Sequence, residues 1–331
     1  MNLPRITVVT PSLNQAAFIE ETLRSVLDQQ YPNLEYIVID GGSTDGTVDI
    51  IRRYESRITY WVSESDSGQA DAINKGFTAG TGEICAFLNS DDVYEPGALE
   101  RVAADFGHGD GRGWHAYPVQ NFSADGLLDL RLPAGGGDSP ANATLEERNR
   151  IANELMSWVA GRTALHQPGV FWRREQWDEV AGLDTRYHYA FDRHFFMKLI
   201  SAGYPLVTHD GPPIARFRVH DDSKTGQYLK GVHVAFFRER MKIADAFVGA
   251  LPREEQREIS RFRVDDDISA TWRLFRGGAP RATCFAWLCH IALSRRYALR
   301  SRFFWGSVLR FLCGPRPATS ASNLDLNGGE G

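Results

Sequence analysis

Residues 84–92 read ICAFLNSDD. Ile84, Cys85, Ala86 and Phe87 make the short apolar run of a strand buried on both faces, and two adjacent carboxylates, Asp91 and Asp92, follow where such a strand surfaces. Ligands of open α/β sheets collect at the carboxyl ends of the strands, and paired carboxylates there suit a hard divalent cation that holds a diphosphate. The same two residues would also serve to cap a helix opening near Pro96 or to close a polar turn. The neighbouring sequence has to decide.

Upstream, the pattern repeats. Residues 5–10 are rich in β-branched side chains and stop at Pro11, Ser12, Leu13 and Asn14, so a strand runs into a polar turn. Helical spacing of Phe18, Ile19, Leu23, Val26 and Leu27 predicts a helix over 16–27. A strand over 34–39 ends at Asp40 and a glycine-rich turn that opens a helix over 47–54. A third strand over 58–62 leads through Glu64 and Asp66 to a helix over 69–77, and the strand at 84–87 is the fourth. Four successive βα units predict a parallel sheet. Each strand delivers polar residues at its carboxyl end: Thr10 and Ser12, then Asp40, then Glu64 and Asp66, then Asn89 and Asp91.

The first turn excludes some chemistry. It lacks the Gly-x-Gly-x-x-Gly of a dinucleotide-binding dehydrogenase and the glycine-rich loop ending in Lys and Ser or Thr that cradles phosphate in kinases. Nor does it supply the glycine-rich, arginine-bearing loop of sugar-nucleotide pyrophosphorylases.

The stretches TVVTPSLN (7–14), EYIVIDGGSTDGT (35–47), SESDSGQADAINKG (63–76) and FLNSDDVYEP (87–96) resemble, in order and spacing, the successive motifs of glycosyltransferase family 2. The resemblance covers the first hundred residues. It implies an α/β GT-A fold: a nucleotide-binding sheet, a DXD-like metal site and an acceptor half built from the segments that follow. On that match Thr10, Pro11 and Ser12 border the nucleobase, Asp40 accepts hydrogen bonds from base or ribose, and Asp66, Asp71 and Lys75 lie near base, ribose or diphosphate. Asn14, Gln69, Asn89 and Ser90 complete the donor site. Lys75 reads equally as a solvated helix lysine, and Asp45 as a residue that orders its own turn. The family motif often has Asp where this chain has Asn89; the amide keeps an acceptor but loses a charge. Asp91, with Asp92 beside it, therefore becomes the expected ligand of Mg²⁺ or Mn²⁺, most of whose other ligands would come from the donor diphosphate and water.

Beyond residue 106 the texture changes. Residues 114–122 and 127–132 flank Ala124, Asp125 and Gly126 as a hairpin, 146–159 suits a helix, and 166–172 reads as a strand entering the acceptor side. Asp192 stands at the start of an amphipathic helix, where Asp is a common cap. The resemblance makes it the general base that deprotonates a sugar hydroxyl in an inverting transfer; no second catalytic acid is needed, unlike glycoside hydrolysis. His220 reads as a turn histidine on its own, and by the resemblance as a group near the metal or diphosphate.

Composition is that of an ordinary globular protein, with 43% hydrophobic and 24% charged residues. The four cysteines fit no disulfide framework or zinc site. No cationic leader and apolar core open the sequence, which predicts a cytoplasmic protein. Charge is divided: twenty-eight basic and forty acidic residues precede Ile268, and nine arginines against two acids follow. The apolar, arginine-studded runs within 281–316 are too short to span a bilayer. They suit either a peripheral contact with the anionic cytoplasmic face of a membrane or helices packed on the core or on a second copy. Nucleic acid is not an expected partner.

The expected organisation is a catalytic domain over 1–225, its donor half 1–106 and acceptor half 107–225, then a helical basic region over 226–317 and a disordered tail over 318–331. The expected function is an inverting, metal-dependent transfer from a nucleoside-diphosphate sugar, UDP-sugar favoured, to a hydroxyl of a polysaccharide or lipid-linked oligosaccharide. The alternatives are a polyprenyl-phosphate sugar synthase and a catalytically silent carbohydrate-binding protein of the same fold.

Overall fold

The computed structural model describes residues 3–107, 111–133, 165–221, 223–224, 234–250, 280–294 and 302–313, with single positions at 253, 256, 268, 271, 272, 275 and 299. The β-branched run near the start forms β1 (Ile6–Ser12), buried along its whole length because it lies inside a seven-stranded sheet. β2 (Leu34–Asp40) and β4 (Ile84–Phe87) flank it in parallel, and β3 (Tyr60–Ser63) extends the sheet beside β2, also in parallel. The four predicted βα units are thus one parallel block.

Helices α1 (Ile19–Leu27), α2 (Thr47–Tyr54) and α3 (Gln69–Ala79) connect these strands. α3 lies so close to β1 that a methyl group at Gly76 would fall 2.4 Å from Val9 Cγ1. Only glycine permits that approach. α1 begins at Ile19, three residues later than its periodicity suggests, because the backbone of Gln15 and Ala16 is held by Thr47 and Asp45 in the next loop.

β9 (Val170–Arg173) runs antiparallel between β4 and β6 (Trp114–Ala116), and β10 (Leu206–Thr208) closes that side. The strand expected over 166–172 starts only at Val170, after a 3₁₀ turn at Gln167–Gly169. A methyl group at Gly169 would meet the Tyr117 carbonyl oxygen at 2.6 Å, so the turn packs directly on its neighbour. The strand expected over 114–122 is likewise two strands. β6 stays in the large sheet, Tyr117 and Pro118 break the run, and β7 (Val119–Ser123) pairs with β8 (Gly126–Arg131) in a second sheet of order β5-β11-β7-β8. The other members are β5 (Val93–Tyr94) and β11 (Ala215–Arg218). The hairpin around residues 124–126 is present.

On the α3 side, Phe77, Trp172, Trp177 and Phe195 form a continuous aromatic cluster with ring centroids 4.3–5.8 Å apart. Each such buried ring contributes about 1.5–3 kcal/mol over exposure. α5 (Arg174–Glu179) and α6 (Phe191–Ser201) supply Trp177 and Phe195, so these two helices are fastened to the parallel block by this core. α4 (Ala98–Phe106) follows the turn after β5 with Gly97 as its N-cap at φ 79°. Asp91 and Asp92 do not cap it.

The chain divides into two compact units, Met1–Ile151 with Ala164–Val219, and Ala152–Thr163 with His220–Gly331. The second unit contains α7 (Val234–Ala250), α8 (Arg281–Ser294) and α9 (Arg302–Cys313), with Ile268, Phe275, Cys284, Leu288, Ile291 and Phe304 in its own core. The helix expected over 146–159 and the tail over 318–331 lie outside the described residues.

Candidate active site

The register of the parallel block sets Ser12 beside Asp40 and Asp40 beside Ser63, so the loops after β1, β2 and β3 leave from one edge, and β4 pairs Phe87 with Val9 just below it. The first two loops are stitched together. Asn14 takes the left-handed conformation at φ 52°, which an Asn side chain tolerates. Its N–H donates to Ser43 Oγ (2.7 Å) and its Oδ1 accepts from the Thr44 N–H (2.9 Å). Asp45 accepts from the Ala16 N–H and from the N–H and hydroxyl of Thr47, which is the turn-ordering role read from the sequence.

Asp40 is fully buried and accepts from the N–H groups of Gly42 (3.1 Å) and Ser43 (2.8 Å) and from the hydroxyls of Ser43 (2.5 Å) and Ser63 (2.6 Å). Four donors occupy the usual capacity of a carboxylate, so Asp40 braces the loop from beneath. Asp66 lies over Gly41: a methyl group there would come within 2.8 Å of Asp66 Oδ2. Asp66 Oδ1 accepts the Gly68 N–H at 2.8 Å. Asp71 accepts the Ser67 N–H, and Lys75 pairs with Glu64 at 2.9 Å and Asp71 at 3.6 Å. The Thr10 hydroxyl points inward to Tyr36 Oη (3.0 Å). By contrast, Ser12 Oγ and Gln15 Oε1 are buried with no hydrogen-bond partner among the described residues. Buried polar atoms left so are groups that a water, an ion or a ligand can satisfy.

The loop after β4 separates its two acids. Asp92 is fully buried, with Oδ1 accepting the Arg218 N–H (2.9 Å) and Oδ2 accepting from Asn89 Nδ2 (3.3 Å). Burial, then the charge of Asp91, pushes its carboxyl well above the usual range. Asp91 is half-buried, and its carbonyl accepts from Arg218 Nε at 2.9 Å. Ser90 is buried. Asn89 Oδ1 accepts from Gln69 Nε2 at 2.7 Å. The amide at position 89 is thereby explained: it both accepts from Gln69 and donates to Asp92, whereas a carboxylate there would face another carboxylate.

Arg218, at the end of β11, had drawn no notice in the sequence. Besides its bonds to Asp91 and Asp92, its guanidinium pairs with Glu21 and stacks over Phe122 (4.3 Å) and Phe18 (5.0 Å). The only signal was an arginine in a strand pattern. Asn74 is a second such residue: it donates to the Leu183 carbonyl (2.9 Å) and accepts the Leu183 N–H (3.0 Å), clamping α3 to the turn before α6. Gln167 is a third, donating to the Phe87 carbonyl while its Oε1 is buried without a partner among the described residues.

The acceptor-side segment closes on the same edge. Lys198 Nζ donates to the carbonyls of Val180 and Gly182 at 2.5 Å each, and Arg186 forks onto Asp184, holding that carboxyl down at about 2. His188 approaches Gly68, and the Phe191 ring lies 6.1 Å from that of Phe87. Asp192 follows as the second residue of α6; the N-cap is Ala190, and Asp192 Oδ1 accepts the Arg193 N–H (2.7 Å). The structure thus brings Phe191, at the head of α6, against Phe87, the last residue of β4.

His220 belongs to the second unit and is half-buried, with its carbonyl accepting the N–H and hydroxyl of Ser223. Among the described residues no three His, Cys, Asp or Glu side chains group closely enough to hold a metal ion. The donor set that the β4 loop offers a cation is one half-buried carboxylate, Asp91. That fits a cation whose other ligands are diphosphate and water rather than a protein cage.

The sequence pattern of Glycosyl transferase family 2 matches residues 7–113. Over 205 residues the chain is 36% identical to a PGL/p-HBAD biosynthesis glycosyltransferase of Mycobacterium bovis, covering 61% of this chain and 72% of that one. The chain belongs to glycosyl transferase family 2. It is also 45% identical over 101 residues to TuaG of Bacillus subtilis, named for teichuronic acid biosynthesis, a match that spans 30% of this chain and 40% of TuaG. A family 2 assignment agrees with the architecture. The fold is similar, at TM-score 0.56 and 19% identity, to the mannosyltransferase PcManGT of Pyrobaculum calidifontis, solved with GDP-Man and Mn²⁺; the likeness covers 95% of this chain and 88% of that one. It is the GT-A fold that the motifs implied.

Proposed function

We propose that the chain transfers a glycosyl group, with inversion, from a nucleoside-diphosphate sugar to a hydroxyl of a glycan or lipid-linked glycan. One observation supports the reading: the Phe87–Phe191 contact holds the head of α6, the turn of helix that carries Asp192, against β4, the strand that leads into the Asp91 turn. The buried, unpartnered Ser12 Oγ and Gln15 Oε1 support a donor on the same edge.

In this scheme the nucleoside lies along the loops after β1, β2 and β3, with Ser12 and Gln15 as direct contacts. Asp40 acts through the loop it braces. Asp66 and Gln69 border the ribose and diphosphate. Asp91 would hold a Mg²⁺ or Mn²⁺, which would supply charge neutralisation for the diphosphate; Asp92 serves the site by anchoring the turn. Asp192 accepts the proton of the attacking hydroxyl. UDP is the favoured nucleotide.

Calorimetric titration with UDP, GDP, CDP and dTDP, each with and without Mn²⁺, tests the donor site. Binding of one nucleotide with a metal-dependent gain that Asp91→Ala removes is the expected result; binding of none sinks the proposal. For the base, Asp192→Asn lowers turnover roughly 10²–10⁴-fold while leaving nucleotide affinity intact. Unchanged turnover would point instead to a phosphate acceptor, which needs no base.

A further inference from the structure

Helix α8 carries no acid and is apolar on nearly every side. Cys284, Trp287, Leu288 and Ile291 are buried in the core of the second unit. Apart from Arg281 at its start, its exposed positions are Ala282, Phe285, Ala286, Cys289, His290 and Leu293, whose spacing of three and four residues makes one continuous stripe. Phe285 is 40% exposed and Leu293 85%. On α9, Trp305 and Leu309, one turn apart, are 50% and 61% exposed. A helix that is apolar all round belongs inside a core or in contact with lipid. The outer face of α8 is open.

Beside that stripe, α7 and α8 enclose a groove of about 760 Å³. Met241, Ala286 and Trp287 make its apolar part; Arg238, Lys242 and His290 line it with a single acid, Asp245. The Arg238 guanidinium sits over the Trp287 ring at 5.7 Å. A cationic rim above an apolar floor complements a ligand that is anionic at one end and hydrocarbon at the other.

Three occupants can be compared on charge. Residues 268–324 hold nine arginines and no acid, a charge that favours an anionic partner over a second copy of the same segment. A nucleic acid would meet the arginines but set Phe285, Leu293 and Leu309 against phosphates. An anionic bilayer satisfies both sets of side chains. No helix among the described residues is long and apolar enough to cross a membrane, and fourteen residues of helix reach only about 21 Å against a hydrocarbon core of about 30 Å.

We infer that the second unit docks on an anionic phospholipid surface, with a lipid phosphate seated between Arg238 and Lys242 and the exposed apolar stripe of α8 entering the acyl boundary. This stands apart from the transferase reading, because docking is measured with neither donor nor acceptor present.

Flotation of the full chain with vesicles of phosphatidylcholine alone, and of phosphatidylcholine with phosphatidylglycerol, is the test. The expected result is binding to the anionic vesicles at least roughly tenfold stronger than to the neutral ones, weakened by salt. Arg238→Ser with Lys242→Ser lowers it roughly tenfold or more. Leu293→Glu with Leu309→Glu, both at open positions, lowers it comparably, with an unchanged melting temperature showing that the fold is intact. Equal binding to both vesicles, binding to neither, or retention in both double variants overturns the inference. So does a dimer seen by light scattering that Leu293→Glu dissolves, which would make the stripe a contact between copies.

Discussion

The two edges of the parallel block each bury a carboxylate in a network, and they do so differently. At the amino edge Glu35 accepts from the Thr7 hydroxyl (2.6 Å), the Thr81 N–H (2.6 Å) and hydroxyl (2.9 Å) and the Gly82 N–H (3.1 Å). Arg174 seals this cluster, bonding the carbonyls of Phe77 and Gly82 and lying over the Phe77 ring. Burial alone would raise the Glu35 carboxyl, but these donors bring it below its usual range. The carboxyl edge has the same kind of brace in Asp40 and Asp92, yet leaves Ser12 Oγ, Gln15 Oε1 and Gln167 Oε1 buried and unpartnered among the described residues. The Glu35 network is closed on itself, whereas the groups left open beside Asp40 and Asp92 can still bond a water or a ligand.

Substitutions at the two edges should therefore separate stability from binding. Arg218→Ala carries the largest expected effect, because it removes the bond to the Asp91 carbonyl, the pair with Glu21 and two aromatic contacts at once. Chemical denaturation should show a loss of about 3 kcal/mol, and nucleotide affinity in the presence of Mn²⁺ should fall roughly tenfold. Stability loss with unchanged affinity would make Arg218 a fold residue only.

Glu35→Ala is the counterpart at the closed edge. It takes the acceptor from the Thr81 N–H and from the Thr7 hydroxyl, while the Gly82 N–H keeps the Thr7 oxygen, and should cost about 2 kcal/mol; nucleotide affinity stays at the wild-type value by calorimetry. Weakened affinity would erase the distinction between the edges.

Histidines give a pH-dependent version of the contrast. Burial holds His115 down to about 3 and His166 and His194 down to about 4, well below the unfolded value. The unfolded chain binds protons that the folded chain refuses, so their contribution is complete above pH of about 6.5 and is lost as pH falls toward those folded values. Stability measured between these limits should decline with acid, and His115→Gln should flatten the slope by about 1.4 kcal/mol per pH unit. A slope unaffected by that change would mean His115 is protonated in the folded state.

Ser12→Ala is the smallest change. With no partner to lose, the fold should shift by less than about 0.5 kcal/mol, but nucleotide affinity should drop by about 1 kcal/mol, some fivefold. Wild-type affinity in this variant would remove Ser12 from the donor contacts.

Much of the parallel block was legible in the chain. The runs over 5–10, 34–39, 58–62 and 84–87 became four parallel strands with ends shifted by no more than two residues, and the helix over 47–54 has the bounds expected of it, because apolar runs and turn residues act within a few positions of one another. The acceptor side was less legible. The division of 114–122 between two sheets and the late start of β9 depend on Tyr117, Pro118 and Gly169 meeting across more than fifty residues.

The same limit of range applies to the site. Local pattern determined that acidic and polar residues collect at one edge of a sheet, that Asp45 orders its own turn, and that the family's motifs are present. The family match put Asp91 first as a ligand, with Asp92 beside it, but could not give the physical difference between them: Asp92 is fully buried and accepts the N–H of Arg218, 126 residues beyond it, whereas Asp91 is half-buried. Nor could it show Asn74 gripping Leu183 across 109 positions. Sequence sets which groups are available, through propensity and periodicity; burial and hydrogen-bond partners, which decide whether a carboxylate braces or binds, exist only once distant segments have packed.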